Sequence, residues 1–387
     1  MPSSSRGLSP PPLKRRRLSP SPSSLPKHQP PPPPLPTLPT PNSPLATPHT
    51  SFRIYTWNIN GIAPFLPSQT QKITSFLTPT PTTTTKRSPS NPQPHNHARP
   101  KPPQPSLRTR LRDWSWPPIL LLQEIKLAPT DKTSQSSLLR AINTPLDTEP
   151  SSSNQNPNPN PDRTADNRNL YNAHFSLPRD PHNATAFHGK IYGVCTLVRR
   201  DIPHVQVKSV DWDLEGRVLV TELPKLGIVV VNIYAVNGTT NGYRDPETGK
   251  VVGDRHARKR IFHSLLAEEV RGYEEQGWGV VVAGDMNISR GGVDSFPQLR
   301  MGEEHVRNRA DFEEKFIRGL GMIDTFRMVR GEERKFTYRP TNKPWGAGGD
   351  RVDMVLVTRG LEESVKEADI LDSEEDRGPS DHVPLFV

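Results

Sequence analysis

The chain has 387 residues, 46 of them proline, a single cysteine and a formal net charge of +9. One cysteine, Cys195, excludes a disulfide framework and a cysteine-based zinc site, no run is apolar and long enough to span a membrane, and no apolar signal-peptide core follows Met1. The charge is unevenly placed: residues 1–112 hold 15 Lys+Arg and no acid, so the remaining 35 basic and 41 acidic residues give the rest a net charge of −6. The basic isoelectric point therefore belongs to the first part of the chain, where a basic arm would attract polyanions without specificity.

Residues 1–50 are mostly Ser, Pro, Thr and Leu, too poor in apolar bulk to offset chain entropy, and a disordered tail is expected there. Within it, Lys14-Arg15-Arg16-Arg17 resembles a nuclear import signal, and the proline density argues against the amphipathic helix of a mitochondrial leader. Proline segments such as Pro30–Pro36 are suited to bind partner domains.

Order is expected from residue 51 to 387 as one domain. A strand over Phe52–Trp57 is followed by a turn at Asn60-Gly61 and a short helix over Ser68–Leu77. Low-complexity sequence then predicts disordered insertions near 78–106 and 129–168, on either side of a buried strand at Ile119–Leu122. Further strands are expected over Val194–Arg199, Arg217–Leu223, Ile228–Tyr234, Val280–Ala283, Lys335–Tyr338, Val352–Val357 and Val383–Val387. Helices are expected over Gly253–Gln276, with Ile261, Leu265, Leu266 and Val270 on one face, and over Arg309–Leu320. Many short strands with few helices between them predict an α+β sandwich rather than a doubly wound sheet.

Polar groups cluster directly after the apolar runs. Asn58 and Asn60 follow the first strand, Glu124 follows Ile119–Leu122, and Asp285 and Asn287 follow Val280–Ala283. Asp381 and His382 precede the last strand. Rigid strand ends that project such groups are where hydrolytic sites are built. Phosphodiester hydrolysis needs an activated water, neutralised phosphoryl charge and help for the leaving oxygen. Asp285 can accept a proton from water, and Glu124 and Asn60 offer oxygens to a hard divalent ion. His382 can donate to a phosphoryl oxygen if a carboxylate, for which Asp353 is placed, holds its far nitrogen. Taken singly, each piece reads as well as a turn or a strand exit. Their ordered coincidence is what carries the reading.

The ordered set Trp57-Asn58-Ile59-Asn60-Gly61, Leu122-Gln123-Glu124-Ile125-Lys126, Glu215-Gly216-Arg217-Val218 and Asn232-Ile233-Tyr234-Ala235-Val236-Asn237 extends further. It continues with Gly284-Asp285-Met286-Asn287, Ile323-Asp324-Thr325-Phe326-Arg327, Arg351-Val352-Asp353 and Ser380-Asp381-His382-Val383-Pro384. Together these pieces resemble the exonuclease III / abasic-site endonuclease branch of the endonuclease–exonuclease–phosphatase, or DNase I-like, superfamily. The resemblance implies a four-layer α/β sandwich, two packed and mainly antiparallel sheets flanked by helices. It implies Mg²⁺, or Mn²⁺, on Glu124, Asn60 and Asp381. It implies a water activated by Asp285 with Asn287 and Asn58, and a phosphate bound by Tyr234, Asn237 and His382, with Asp353 behind His382. Arg351, Tyr338 and Arg290 are the further substrate contacts expected. The implied substrate is DNA, double-stranded, handled by a nuclear monomer in base-excision repair. One departure bears on specificity: relatives that favour abasic sites carry a Trp where Asp350 stands. A same-fold esterase acting on RNA or a small phosphoester, or an inactive scaffold, are the alternatives.

Overall fold

The computed structural model describes residues 51–67, 105–146, 169–186 and 190–387. The expected tail, the Ser68–Leu77 helix and most of both insertions lie outside these residues.

Two six-stranded sheets form the centre. In the first, the spatial order is Asp369–Ile370, Leu385–Phe386, Ile54–Asn58, Ile119–Gln123, Val194–Arg199 and Tyr171–Ser176. In the second it is Ile323–Asp324, Asp353–Val357, Gly279–Asp285, Ile228–Tyr234, Val218–Leu223 and Gln206–Ser209. All neighbours run antiparallel except one central pair in each sheet. Ile54–Asn58 is parallel to Ile119–Gln123, and Ile228–Tyr234 is parallel to Gly279–Asp285. The mainly antiparallel sandwich read from sequence is therefore the fold, with a parallel seam in each half.

The continuous aliphatic runs of these strands are explained by burial on both faces. Ile119 and Leu121 meet Val230, Val281, Ala283, Val355 and Val357 between the sheets. Leu120 and Leu122 point the other way, onto helix α1 (Leu107–Asp113) and helix α2 (Lys132–Asn143) through Leu107, Leu111, Leu138 and Ile142. Behind the second sheet, Val231, Ile233, Val280 and Val282 pack on helix α3 (Arg255–Glu275) through Phe262, Leu266 and Val270. The order helix, sheet, sheet, helix follows from this period-2 alternation.

Several boundaries differ from the sequence reading. The stretch 129–168 is not a loop throughout: Asp131 caps α2 by accepting from Ser134 N at 3.0 Å. Its Lys-Thr-Ser-Gln-Ser-Ser start masks the apolar pair Leu138 and Ile142, four apart on one face. The face of α3 is rotated from the one expected, because Ile261 is 52% exposed while Phe262 is buried. The expected Arg309–Leu320 helix is in fact helix α4 (Glu303–Phe312) running into a wider π-type coil at Glu313–Gly319. Lys335–Tyr338 forms no regular strand; Tyr338 alone bridges to Asp350 and His382. Of Val383–Val387, only Leu385–Phe386 is regular strand.

Candidate active site

The register of the second sheet sets three functional side chains in a row. Asp285 stands opposite Tyr234 on one side and Asp353 on the other. Gly284 makes this row possible: its φ is +140°, and a Cβ there would lie 2.0 Å from the Ile233 carbonyl oxygen. The first sheet brings Asn58 beside Gln123, with Glu124 next along the chain. The carboxyl ends of both parallel seams thus meet at one edge.

Hydrogen bonds join the two halves. Asn58 Nδ2 donates to Asp285 Oδ2 at 3.0 Å and to Glu124 Oε2 at 3.4 Å. Asn287 N donates to Asp285 Oδ1 at 2.7 Å, and its Nδ2 donates to Ala235 O at 2.9 Å. His382 Nδ1 donates to Asp353 Oδ2 at 2.7 Å. Ser380 fixes the His382 segment, since its Oγ donates to Asn58 O at 2.7 Å and accepts from His382 N at 3.0 Å. Trp57 Nε1 also donates to His382 O. Asn60, Glu124 and Asn287 all have left-handed backbones, with φ of 52°, 53° and 51°. For Glu in particular such a conformation costs energy, and it persists only where the surroundings over-determine it.

Burial and charge shift the key groups in opposite directions. Burial and the neighbouring Asp353 charge push the Asp285 carboxyl up to about 7. Burial alone would lower His382, but the charge and hydrogen bond of Asp353 outweigh it and lift the imidazole to about 10. Burial and the Glu124 charge also hold the Tyr234 hydroxyl well above its ordinary range. A carboxyl that titrates near neutrality beside an imidazolium is a base–acid pair set for use together.

A cavity of about 290 Å³ opens here, lined by Glu124, Tyr234, Asn237, Asp285, Asp381 and His382 among others. Asn287, Tyr338 and Asp350 line it too. Apart from Asp350, these are expected residues, and together the named residues come from six segments of chain. Asp381 Oδ1 is buried without a hydrogen-bond partner among the described residues. An orphaned carboxylate oxygen on a cavity that Glu124 also lines suits a hard cation. Asp285, Asp353 and His382 also have ligand atoms within 4.8 Å of one another. There, however, His382 and Asp353 are already bonded to each other, so the trio reads as proton-handling groups.

Three expected site residues are placed otherwise. Arg351 is fully buried, its guanidinium bound to Asp294 at 2.6 Å and Asp324 at 2.8 Å, so it is committed to the fold and presents no surface to the cavity. Arg290 is committed to Glu313 at 2.6 Å and Asp324 at 2.9 Å. The carboxamide oxygen of Asn60 accepts from Lys126 Nζ, which also pairs with Glu124 at 3.1 Å, so one ammonium is shared by the two oxygen groups and leaves the neutral carboxamide with less to offer a cation than the carboxylate. In each case a strand-end residue of suitable chemistry has a structural partner that sequence spacing does not reveal.

Lys259 escapes the sequence reading. Its ammonium lies buried at the cavity and donates to Met286 O at 3.2 Å and Asn287 O at 2.8 Å. Burial pushes it down to about 7, offset in part by Asp285. The signal was present: Lys259, Phe262, Leu266 and Val270 share the apolar stripe of α3. A lysine on such a stripe needs a buried partner.

A model described as the Endonuclease/Exonuclease/phosphatase family matches residues 55–382. DNA-(apurinic or apyrimidinic site) endonuclease 2 of Saccharomyces cerevisiae is 26% identical over 229 residues, 48% of this chain and 40% of that protein. The chain therefore spans less than half the length of this curated relative. An AP endonuclease from Archaeoglobus fulgidus has a similar structure, with a TM-score of 0.53 at 17% identity, over 87% of this chain and 98% of that one. The Xenopus laevis APE2 catalytic domain gives a TM-score of 0.52 at 18% identity, over 86% and 90% of the two chains. At these identities the likeness is one of fold, two mixed sheets flanked by helices.

Proposed function

The chain belongs to the endonuclease/exonuclease/phosphatase family, and from that premise we propose that it is a metal-dependent DNA phosphodiesterase of base-excision repair. It cleaves 5′ to abasic sites, trims 3′ ends, or does both. The observation that carries this reading is the pairing of a raised carboxyl, Asp285, with an Asp353-held imidazolium, His382, on one cavity.

In this mechanism Asp285 takes the proton of the attacking water, held in line by Asn58 Nδ2 and Asn287 N. His382 keeps Nδ1 on Asp353 and offers Nε2 to a phosphoryl oxygen, with Tyr234 and Asn237 beside it. Glu124 and Asp381 would hold Mg²⁺, or Mn²⁺ in its place, which would supply neutralisation of phosphoryl charge and help for the leaving oxygen. Tyr338, whose ring lies 5.2 Å from that of His382, lines the sugar side. Residues 1–50 direct the protein to the nucleus and recruit partners, while residues 51–387 carry catalysis as a monomer on double-stranded DNA. No helix among the described residues is long and apolar enough to cross a membrane.

One observation favours a second reading. Asp350 lines the cavity, accepting from Ser289 Oγ at 3.3 Å. A carboxylate there gives an apolar sugar pocket less support than a site for a hydroxyl-bearing ribose or small phosphoester.

The test is a duplex with one internal abasic analogue, labelled at its 5′ end, incubated with Mg²⁺ or chelator beside an Asp285→Asn protein. A single Mg²⁺-dependent product at the lesion, lost in the variant, supports incision. A ladder shortening from the 3′ end supports exonuclease action. Cleavage of RNA alone would replace the DNA reading with the second one.

A further inference from the structure

Arginines adjacent in sequence to cavity-lining residues are neutralised. Arg290 and Arg351 have their carboxylates, and Arg307 pairs with Glu303 at 2.5 Å and Glu304 at 2.9 Å. Arg309 differs. It lines the cavity from α4, is partly buried, and pairs with no carboxylate among the described residues. Its guanidinium is held only by backbone: Nη1 donates to Ser289 O at 3.3 Å and Nη2 to Arg300 O at 3.0 Å.

Those two carbonyls aim the group without neutralising it. Ser289 lies two residues beyond Asn287, so the fixed cation adjoins the loop that orients the attacking water. Arg300 and His305 line the same wall. Arg300 is 61% exposed in its side chain and reaches Asp350 only at 3.7 Å, which leaves it able to turn toward an incoming anion. His305 packs edge-on against His256, whose Nδ1 lies 2.8 Å from Asn308 Nδ2. A pre-aimed guanidinium that is partly desolvated and lacks a counter-charge is relieved by a phosphate, which it can bind through a planar pair of N–H groups.

We propose that Arg309, with Arg300 and His305 beside it, forms a second anion subsite that holds the phosphate next to the scissile one, so that the substrate is a polynucleotide rather than an isolated phosphoester. This rests on the phosphodiesterase reading above. The metal-side carboxylates Glu124 and Asp381 would repel an unaccompanied flanking phosphate; Arg309 gives it a place on the wall formed by α4.

Substrates in which one linkage flanking the cleaved bond is a neutral methylphosphonate test the proposal. Each flanking position is replaced in turn, and kcat/KM is measured for the full chain and for Arg309→Gln and Arg309→Lys. The wild type should lose roughly ten- to a hundredfold at one flanking position. Arg309→Gln should lose a similar factor on the all-phosphate substrate and nothing further on the neutral one, and Arg309→Lys should recover part of the loss. The logarithmic salt dependence of binding should fall by about one unit in Arg309→Gln. Additive losses, or a wild type indifferent to every flanking replacement, would overturn the subsite while leaving the phosphodiesterase reading intact; the wild-type arm decides the matter even if Arg309→Gln fails to fold. Failure to cleave the all-phosphate substrate would remove both.

Discussion

Replacing Asp353 by Asn should move the working pH range rather than merely scale the rate. In the proposed mechanism Asp285 works ionised and His382 protonated, which sets a window between about 7 and about 10 in the wild type. The carboxamide introduced by Asp353→Asn would still accept from His382 Nδ1, so the ring would keep its orientation, but the charge that opposes burial would be gone. Burial is the largest influence on His382, and only Asp285 and Asp381 would then resist it. The imidazole would fall back toward or below its ordinary value of about 6.5, leaving it protonated in roughly one molecule in ten at pH ~7.5. Asp285 would also ionise at lower pH, since the Asp353 charge is its second cause of elevation. Both limbs of the profile therefore move toward acid. Single-turnover cleavage between pH ~5.5 and ~9 should show at least a roughly tenfold loss near pH 7.5 that shrinks toward pH 6. A variant profile with the wild-type shape, uniformly lowered, would refute the charge argument and leave Asp353 as a mere support.

Three further outcomes are expected. His263 is buried against Phe312 and Phe316, with Nδ1 on Asp311 and Nε2 unpartnered among the described residues, and burial pushes it down to about 4. Its folded value lies below the unfolded one, so its contribution is present above about pH 6.5 and is lost as pH falls toward 4; urea unfolding should show about 2 kcal/mol lost by pH 5, absent in His263→Phe. Arg351→Met leaves Asp294 and Asp324 each short of a buried partner and should cost about 3–5 kcal/mol in chemical denaturation. Lys259→Met strips Met286 and Asn287 of a shared donor and should lower kcat by roughly ten- to a hundredfold with a smaller change in KM; unchanged kcat would mean that Asn287 is held well enough by Ala235 alone.

Much of the site was legible because strand ends have a simple grammar. A short aliphatic run followed at once by Asn, Glu or Asp marks where Asn58, Glu124 and Asp285 emerge. What stayed hidden depends on partners distant in sequence. Arg351 and Arg290 look like free cations until Asp294, Asp324 and Glu313 are seen against them. Asn60 offers a fine ligand oxygen until Lys126 is seen against it. Helix α2 was concealed by serine-rich composition, although its cap and its Leu138–Ile142 pair were readable. Lys259 is hard to see in sequence because a lysine in a helix reads as solvated unless its neighbours Phe262, Leu266 and Val270 show that it lies on the apolar stripe.

The two parallel seams have a consequence for how the protein comes to exist. Tyr55 and Thr56 take Leu385 and Phe386 as edge partners on one side, and Ile119–Gln123 on the other. During synthesis, the first strand waits with one edge open for partners made some 330 residues later. His382 and Asp381 arrive on that same late segment. No nascent or half-docked chain can bring these residues together with Asn58 and Asp285, so the candidate site forms only when its two sheets close.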